Sequence, residues 1–197
     1  NNPGSVFKVA TLMAALDEGL ISLSDSIPCM DGRYVYKNIK CPLDKHATKD
    51  HYPSGYIGVE EGLKISSNHV FRYIGGECFG KSNREIRKYL SLLESYNLFA
   101  DFDFDINGLA KCSVKDPCSS GEALTLPMVA MGYDMATTPV HLLCFYNAIA
   151  NGGRQMKPYM IDSYMREGET VRKFEPQVLN PSICKKSTAD SPTRALP

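Results

Sequence analysis

The segment that most constrains the fold is "SVFKVATLMAALDEGL", near the start of the chain, because it is apolar on almost every side. A surface helix shows one apolar stripe, whereas a helix that is apolar all round belongs in the core. The pattern therefore predicts a central buried helix from about Ser5 to Leu20, ended by Gly19 and the polar run "SLSDS". Lys8 is the exception, since it places an amine within this apolar surface.

Ser5 follows a Pro-Gly turn and precedes Lys8 by three positions. The turn puts Ser5 at the start of the helix, where free backbone N–H groups favour developing negative charge. A separation of three places both side chains on one helical face. Burial lowers the pKa of a lysine, and a neutral amine beside a serine hydroxyl is a general base beside a nucleophile. The alternative is a capping serine with a lysine that extends to solvent, and the spacing alone does not decide between them.

A second polar cluster, Ser66-Ser67-Asn68, interrupts a helical pattern that runs through "GVEEGLKISSNHVFRYIGGECF". In a turn between two helices, Ser66 can relay a proton between Lys8 and a leaving group. Asn68 can hold the lysine and a substrate carbonyl. The alternative for this cluster is a helix end made of serine and asparagine with no chemical role.

The two motifs together resemble those of the penicillin-interacting serine enzymes. "PGSVFKVATLMAALDEG" is similar to the nucleophile segment of class B penicillin-binding proteins, the peptidoglycan D,D-transpeptidases, and "EEGLKISSN" is similar to their second motif. "GYDMATTPVHLLCFYNAIANGGRQMKP" resembles the segment that precedes their third active-site element. The similarity runs along most of the chain and is strongest to the division-type enzymes of Bacteroidetes-like bacteria.

This resemblance implies the α/β (α+β) fold of the penicillin-binding proteins and beta-lactamases, and it implies a covalent mechanism. Ser5 would be the acylated nucleophile, with Lys8 as its base. Ser66 would be the proton shuttle and Asn68 the amide that orients the substrate. The backbone N–H of Ser5 would form half of the oxyanion hole. No metal and no cofactor take part in this scheme.

The resemblance also implies partners and a location. The ligands would be D-Ala-D-Ala stem peptides of peptidoglycan and beta-lactams, and further proteins of cell-wall synthesis or division would be partners. The chain would be a periplasmic domain of a bacterial protein anchored in the inner membrane, with the anchor outside this chain.

The chain departs from the family pattern in two places. The third motif, Lys-Thr/Ser-Gly, does not occur, and "CKKSTADS" does not supply it. We therefore expect residues 1–197 to be a partial transpeptidase domain that begins at the S-x-x-K motif and ends before the third motif, and to be a poor catalyst alone. His141 stands where the family has glutamine, on a helix where we expect little consequence.

The remaining patterns predict a mainly helical fragment with minor β-structure, and the family resemblance implies that its central sheet is incomplete. A capping box at Ser82 and Glu85 begins one helix, Thr138-Pro139 begins another, and "STADSPTRALP" starts a third. We expect one strand at "RYVYKNI", a hairpin around "EGE" at residues 167–169, and an extended strand at "DFDFD".

Composition excludes some classes of partner and leaves the cysteines open. Lys plus Arg equals Asp plus Glu at 22 each, and no basic block is interleaved with aromatic residues, which argues against a nucleic-acid partner. The spacing of Cys41, His46 and His51 fits no usual zinc site. The seven cysteines include two pairs that close small loops, Cys29 with Cys41 and Cys112 with Cys118, but small buried thiols are an equal alternative.

Two other functions compete with transpeptidation. A serine beta-lactamase of the same fold would hydrolyse its acyl-enzyme, but we recognise no segment that carries a deacylating glutamate. A receptor or scaffold module would keep the fold without catalysis, and the intact Ser5, Lys8, Ser66 and Asn68 argue against it.

Overall fold

The computed structural model describes residues 1–101, 105 and 108–195, with side chains up to residue 191. The predicted strand at "DFDFD" falls largely outside these residues. Over this part of the chain there are seven α-helices: α1 Lys8–Asp17, α2 Val59–Lys64, α3 Asn68–Tyr73, α4 Asn83–Ser95, α5 Thr125–Val129, α6 Pro139–Ala150 and α7 Lys186–Ala195. Shorter turns of 3₁₀ helix precede α1 and follow the first strand, and a π-helical turn extends α3.

The strands of the described residues are short and form five antiparallel pairs. They are β1 Ser26–Pro28, β2 Val35–Tyr36, β3 Ile39–Lys40, β4 Tyr56–Gly58, β5 Ser113–Val114, β6 Met135–Ala136, β7 Gln155–Met156, β8 Ser163–Arg166, β9 Glu169–Lys173 and β10 Val178–Asn180. The pairs are β1 with β4, β2 with β3, β5 with β6, β7 with β10, and β8 with β9. The prediction of a mainly helical fragment with minor β-structure is confirmed.

Helix α1 is the centre of the core, as its apolar surface predicts. Every residue from Lys8 to Ala15 is buried, and α1 packs against α3, α4 and α7. Its one buried hydroxyl, on Thr11, is 2.7 Å from the hydroxyl of Tyr89 and donates to the carbonyl of Ala130 at 2.9 Å. The predicted helix is too long at both ends, because residues 4–7 form a 3₁₀ turn and α1 ends at Asp17.

The predicted helix starts are confirmed. Ser82 caps α4 by accepting the N–H of Glu85 at 3.3 Å, although Oε2 of Glu85 finds no partner among the described residues, so the capping box is not reciprocal. Thr138 caps α6 and accepts a hydrogen bond from the N–H of His141 at 3.5 Å. The imidazole of His141 lies in the core, with Nδ1 2.7 Å from the Thr138 hydroxyl and Nε2 donating to the carbonyl of Ala100 at 2.7 Å. These bonds hold the imidazole between the start of α6 and residue 100.

In two hairpins, residues with positive φ angles determine where the chain turns between the paired strands. The predicted hairpin of β8 and β9 turns at Glu167 and Gly168, which have φ of 53° and 84°. The single strand predicted at "RYVYKNI" is wrong, because Lys37 and Asn38 have φ of 47° and 65° and fold it into the pair β2 and β3. Two consecutive positive φ angles make the tight turn that suits the twist of a hairpin.

All seven cysteines are free thiols, so neither candidate disulfide is formed and the alternative of unpaired thiols holds. Cys29 and Cys41 are buried in the core, while Cys112 and Cys118 are half-buried. Across the residues that the structure describes, no group of three or more His, Cys, Asp or Glu side chains is placed to hold a metal ion. Within the same residues, no helix has the length and apolar character needed to cross a membrane.

The 3₁₀ turn at residues 4–7 is held in place by the segment before α6 and by α6 itself. The N–H of Gly4 donates to the carbonyl of Gly132 at 2.9 Å, and the hydroxyl of Tyr146 donates to the carbonyl of Val6 at 2.7 Å. Gly132 has φ of +87°, and a Cβ there would lie 2.2 Å from the Gly4 carbonyl oxygen and 2.6 Å from Cβ of Phe7. Only glycine fits this contact.

Replacing Gly132 by Ala should therefore destabilise the protein by about 2–3 kcal/mol, since the backbone strain and the overlap add. The matched control is Gly121→Ala, where φ is +70° but a Cβ would meet nothing within 4 Å. This variant should lose only about 1 kcal/mol. Urea unfolding followed by circular dichroism compares the two, and equal losses would show that the close approach to residue 4 carries no energy.

Candidate active site

Lys8 begins α1 and is 1% exposed, which confirms the burial predicted from the apolar pattern. Its Nζ donates to two atoms of Ser66, the carbonyl oxygen at 2.5 Å and the hydroxyl oxygen at 3.0 Å. The ring of Phe71 lies beside the same amine, with its centre 5.5 Å from Nζ. The amine therefore does not extend to solvent but is bound to the second motif, 58 residues further along the chain.

Burial lowers the pKa of Lys8 from its ordinary value to about 8, because desolvation disfavours the charged amine. Two charges modify this effect: Asp44 favours the charged amine and Arg72 disfavours it. A lysine with a pKa near 8 is neutral in about a tenth of the molecules at pH 7, so it can accept a proton there. An amine at this position can therefore act chemically as a general base.

Ser5 lies in the 3₁₀ turn Gly4–Phe7 with an exposed side chain. Residues three apart in a 3₁₀ turn project in the same direction, and the N–H groups of a first turn have no acceptor within the helix. Among the hydrogen bonds of the described residues, none joins the hydroxyl of Ser5 to the amine of Lys8. The amine is engaged by Ser66, and only the backbone links the two residues, through the Lys8 N–H and the Ser5 carbonyl.

Ser66 and Asn68 lie in the turn between α2 and α3, where the sequence predicts a break in the helix. Ser66 is exposed and has φ of +54°, a conformation that is uncommon for serine and frequent at functional sites. Ser67 is buried and caps α3 by accepting the N–H of Val70 at 3.2 Å. Asn68 is the first residue of α3 and is half-buried. Its predicted contact with Lys8 is not among the hydrogen bonds that the structure records for residues 1–101.

The structure thus brings Lys8 and Ser66 into direct contact. It keeps Ser5 and Asn68 within three residues of that contact along the chain. The hydroxyl of Ser66 is the group best placed to exchange a proton with the Lys8 amine, which fits the relay inferred from the sequence.

One residue near the site is absent from the sequence-based prediction. Asp44 is 5% exposed, and its carboxylate accepts hydrogen bonds from the Ser67 hydroxyl at 2.7 Å, the His69 N–H at 2.9 Å and the His46 N–H at 3.0 Å. Burial alone would raise the pKa of Asp44, but these hydrogen bonds outweigh it and hold the pKa below its usual range. In the sequence, the only local indication of its role is that aspartate often accepts a hydrogen bond from the backbone N–H two residues further on, as Asp44 does from His46.

Two further buried groups surround Asp44. Arg72 donates from Nη1 to the carbonyl of Pro42 at 2.6 Å, and burial lowers its pKa. His69 is fully buried and donates from Nε2 to the carbonyl of Pro28 at 2.8 Å. Burial also lowers the pKa of His69, so this imidazole is neutral at neutral pH. The polar groups behind the Ser66 turn are therefore one carboxylate, one guanidinium and one neutral imidazole.

The sequence of this chain matches a known protein family. The family model of the penicillin binding protein transpeptidase domain matches residues 1–196. The chain belongs to this family. Among curated relatives, a peptidoglycan D,D-transpeptidase FtsI homolog of Chlorokybus atmophyticus is 26% identical over an alignment of 191 positions, which covers 87% of this chain and 25% of the relative. Penicillin-binding protein 2A of Bacillus subtilis is 27% identical over an alignment of 201 positions, which covers 93% of this chain and 26% of the relative.

Solved structures of penicillin-binding proteins share the fold. Penicillin-binding protein A of M. tuberculosis, in its ceftriaxone acyl-enzyme complex, superposes with a TM-score of 0.82 at 20% identity, covering 99% of this chain and 42% of that one. The D,D-transpeptidase domain from Eggerthella lenta superposes with a TM-score of 0.81 at 22% identity, and the match covers 99% of this chain and 47% of that one. The predicted penicillin-binding-protein fold is confirmed. The chain spans about a quarter of the length of the curated relatives.

Proposed function

We propose that the protein to which this chain belongs is a peptidoglycan D,D-transpeptidase that cross-links stem peptides through a serine acyl-enzyme and is acylated by beta-lactams. The observation that carries the proposal is the buried amine of Lys8, bonded to Ser66 and three residues after Ser5. Two relatives named for D,D-transpeptidase activity and a fold neighbour seen as a beta-lactam acyl-enzyme support it.

In the acylation step, the hydroxyl oxygen of Ser5 attacks the carbonyl carbon between the two D-Ala residues of a stem peptide. Lys8, as the neutral amine, accepts the hydroxyl proton. The developing oxyanion receives a hydrogen bond from the backbone N–H of Ser5, and Asn68 orients the substrate amide. The C–N bond then breaks, and the terminal D-Ala leaves as an amine after taking a proton that passes from Lys8 through the Ser66 hydroxyl.

In the transfer step, an amine of a neighbouring stem attacks the ester on Ser5. Its proton passes to Lys8, the new amide forms, and the Ser5 hydroxyl is restored. A beta-lactam enters by the first step, but its opened ring stays attached, so no leaving group departs to make room for the second amine.

We also propose that the rest of the cleft wall lies outside residues 1–197, since no Lys-Thr/Ser-Gly motif occurs within them. This motif would supply the second oxyanion donor and the group that binds the substrate carboxylate. The chain would then be part of a transpeptidase domain in the periplasm, in a membrane-anchored protein that works with other cell-wall or division proteins.

The test is intact-mass spectrometry of the full-length protein after exposure to a fluorescent penicillin. A transpeptidase should give one adduct per molecule, located on Ser5 by peptide mapping and persisting long after excess drug is removed. Fast loss of the adduct with accumulation of hydrolysed drug would indicate a beta-lactamase. The absence of any adduct would refute the covalent mechanism and favour a binding module.

A further inference from the structure

A buried carboxylate lies directly behind the turn that carries Ser66. Asp44 belongs to the loop that follows β3, more than twenty residues before the turn in the chain, and it is 5% exposed. A buried carboxylate is costly unless it is hydrogen-bonded, and Asp44 is bonded by three donors. One of these donors, Ser67, belongs to the second motif, and another, His69, directly follows it, which gives the carboxylate a structural connection to the candidate site.

The two donors flank Asn68 on both sides. One oxygen of Asp44 accepts both the Ser67 hydroxyl at 2.7 Å and the His69 N–H at 2.9 Å. The other oxygen accepts the His46 N–H at 3.0 Å, which fixes the carboxylate to its own loop. The carboxylate therefore ties the residues immediately after Ser66 to a separate part of the fold.

The backbone conformation of Ser66 is one that needs a restraint of this kind. With φ of +54°, Ser66 presents both its carbonyl and its hydroxyl to the amine of Lys8. Such a backbone conformation persists in a residue other than glycine only when its surroundings hold it. The bonds from Ser67 and His69 to Asp44 provide that restraint on the C-terminal side of the turn.

The charge of Asp44 also reaches the amine. The charged groups that act on Lys8 are Asp44, which favours its protonated form, and Arg72, which disfavours it. Asp44 in turn faces His46, and the side chains of Arg72 and His69 hold the loops around it by donating to backbone carbonyls. Removal of the Asp44 charge would leave Arg72 unopposed beside the amine, so the pKa of Lys8 would fall.

We propose that Asp44 is a positioning residue of this active site, whose carboxylate holds the Ser67–His69 backbone so that Ser66 stays in bonding contact with Lys8. The inference rests on the proposed function, since the geometry matters for acylation only if Ser5 is the nucleophile. Among the described residues, no hydrogen bond joins Asp44 to Lys8 or to Ser66, so it acts on them through its bonds to Ser67 and His69 and through its charge.

The test is Asp44→Asn in the full-length protein, with the acylation rate by fluorescent penicillin measured from pH 6 to pH 9. The amide keeps the volume but loses the charge and one acceptor. We expect acylation to slow by roughly 10- to 100-fold, as expected for a small displacement of a catalytic group. We also expect the acid limb of the pH profile to move to lower pH, because the amine loses the charge that favours its protonation.

Asp50→Asn is the matched control, since Asp50 lies in the same loop region with an exposed side chain. It should leave both rate and profile unchanged. An Asp44→Asn protein that is acylated within twofold of the parent would overturn the proposal, and so would slower acylation with an unmoved acid limb. If the parent itself is not acylated, the proposed function fails instead.

Ser67→Ala provides a second variant if Asp44→Asn does not fold. It removes one of the donors that join the turn to Asp44 and keeps the carboxylate charge. We expect acylation to slow several-fold while the acid limb keeps its position. If a folded Ser67→Ala protein is acylated at the rate of the unmodified protein, the proposed role of Asp44 is contradicted.

Discussion

Replacing Lys8 by Met in the full-length protein should lower the rate of acylation by penicillin by roughly 10³-fold, because the variant lacks the general base. Methionine has a similar length and no charge, so it can occupy the same buried space. The fold should be intact or more stable. With its pKa lowered to about 8, the charged amine carries a penalty on the order of 3 kcal/mol relative to the unfolded chain. The hydrogen bonds to Ser66 offset only part of it, since each contributes about 1 kcal/mol.

The sign of this stability effect depends on pH. Because the folded state holds the Lys8 proton less tightly than the unfolded state, the penalty is fully present below pH 8 and disappears as the pH rises toward the ordinary pKa of 10.5. The stability that Lys8→Met gains over the unmodified protein should therefore be largest at neutral pH and smallest near roughly pH 10. Thermal unfolding of both proteins at several pH values measures this difference.

Lys64→Met is the matched control, since this lysine is exposed in α2 and pairs with Glu60 on the surface. It should keep the parental acylation rate and show at most a small change in stability. Acylation of Lys8→Met at near the parental rate would show that the base is assigned to the wrong residue.

The acylation rate of the unmodified protein should rise with pH through the pKa of Lys8. Only the neutral amine accepts the Ser5 proton, so the rate should rise roughly 50-fold between pH 6 and pH 8 and level off above about pH 9. Burial lowers the pKa of Lys8 to about 8, with Asp44 and Arg72 as the charged groups that act on it. The neutral, buried His69 should contribute nothing to this rise of the acylation rate with pH.

Stopped-flow fluorescence of the penicillin adduct measures this profile, after subtraction of spontaneous hydrolysis of the drug. The residual acylation rate of Lys8→Met should not rise with pH over the same pH range. A flat profile for the unmodified protein from pH 6 to pH 9 would contradict a titrating lysine base with this pKa.

Local patterns in the chain predicted the parts of the site that depend on local physics. The burial of Lys8 follows from the apolar residues around it, since a helix with no polar face has no place in solvent. The break at Ser66 follows from three residues that prefer turns and caps. The caps at Ser82 and Thr138 follow from the hydrogen bond that a hydroxyl offers to a free backbone N–H.

Asp44 shows what such patterns miss. Its partners Ser67 and His69 are more than twenty residues away, and an aspartate in an irregular loop carries no periodic signal. The hairpin at Lys37 and Asn38 was missed for a related reason, because the strongest turn signal for two positive φ angles includes glycine and "KN" does not.

By itself, the sequence determined that a lysine amine would be buried three residues after a serine at a helix start, because apolar patterning and spacing act within a few turns of chain. Only the tertiary structure decided which group that amine would bind. It selected Ser66 over Ser5, and it placed Asp44 behind the Ser66 turn. The physical reason is that a buried charge is stabilised by whichever polar groups the packing of distant segments brings within bonding distance, and that choice is made by the whole core.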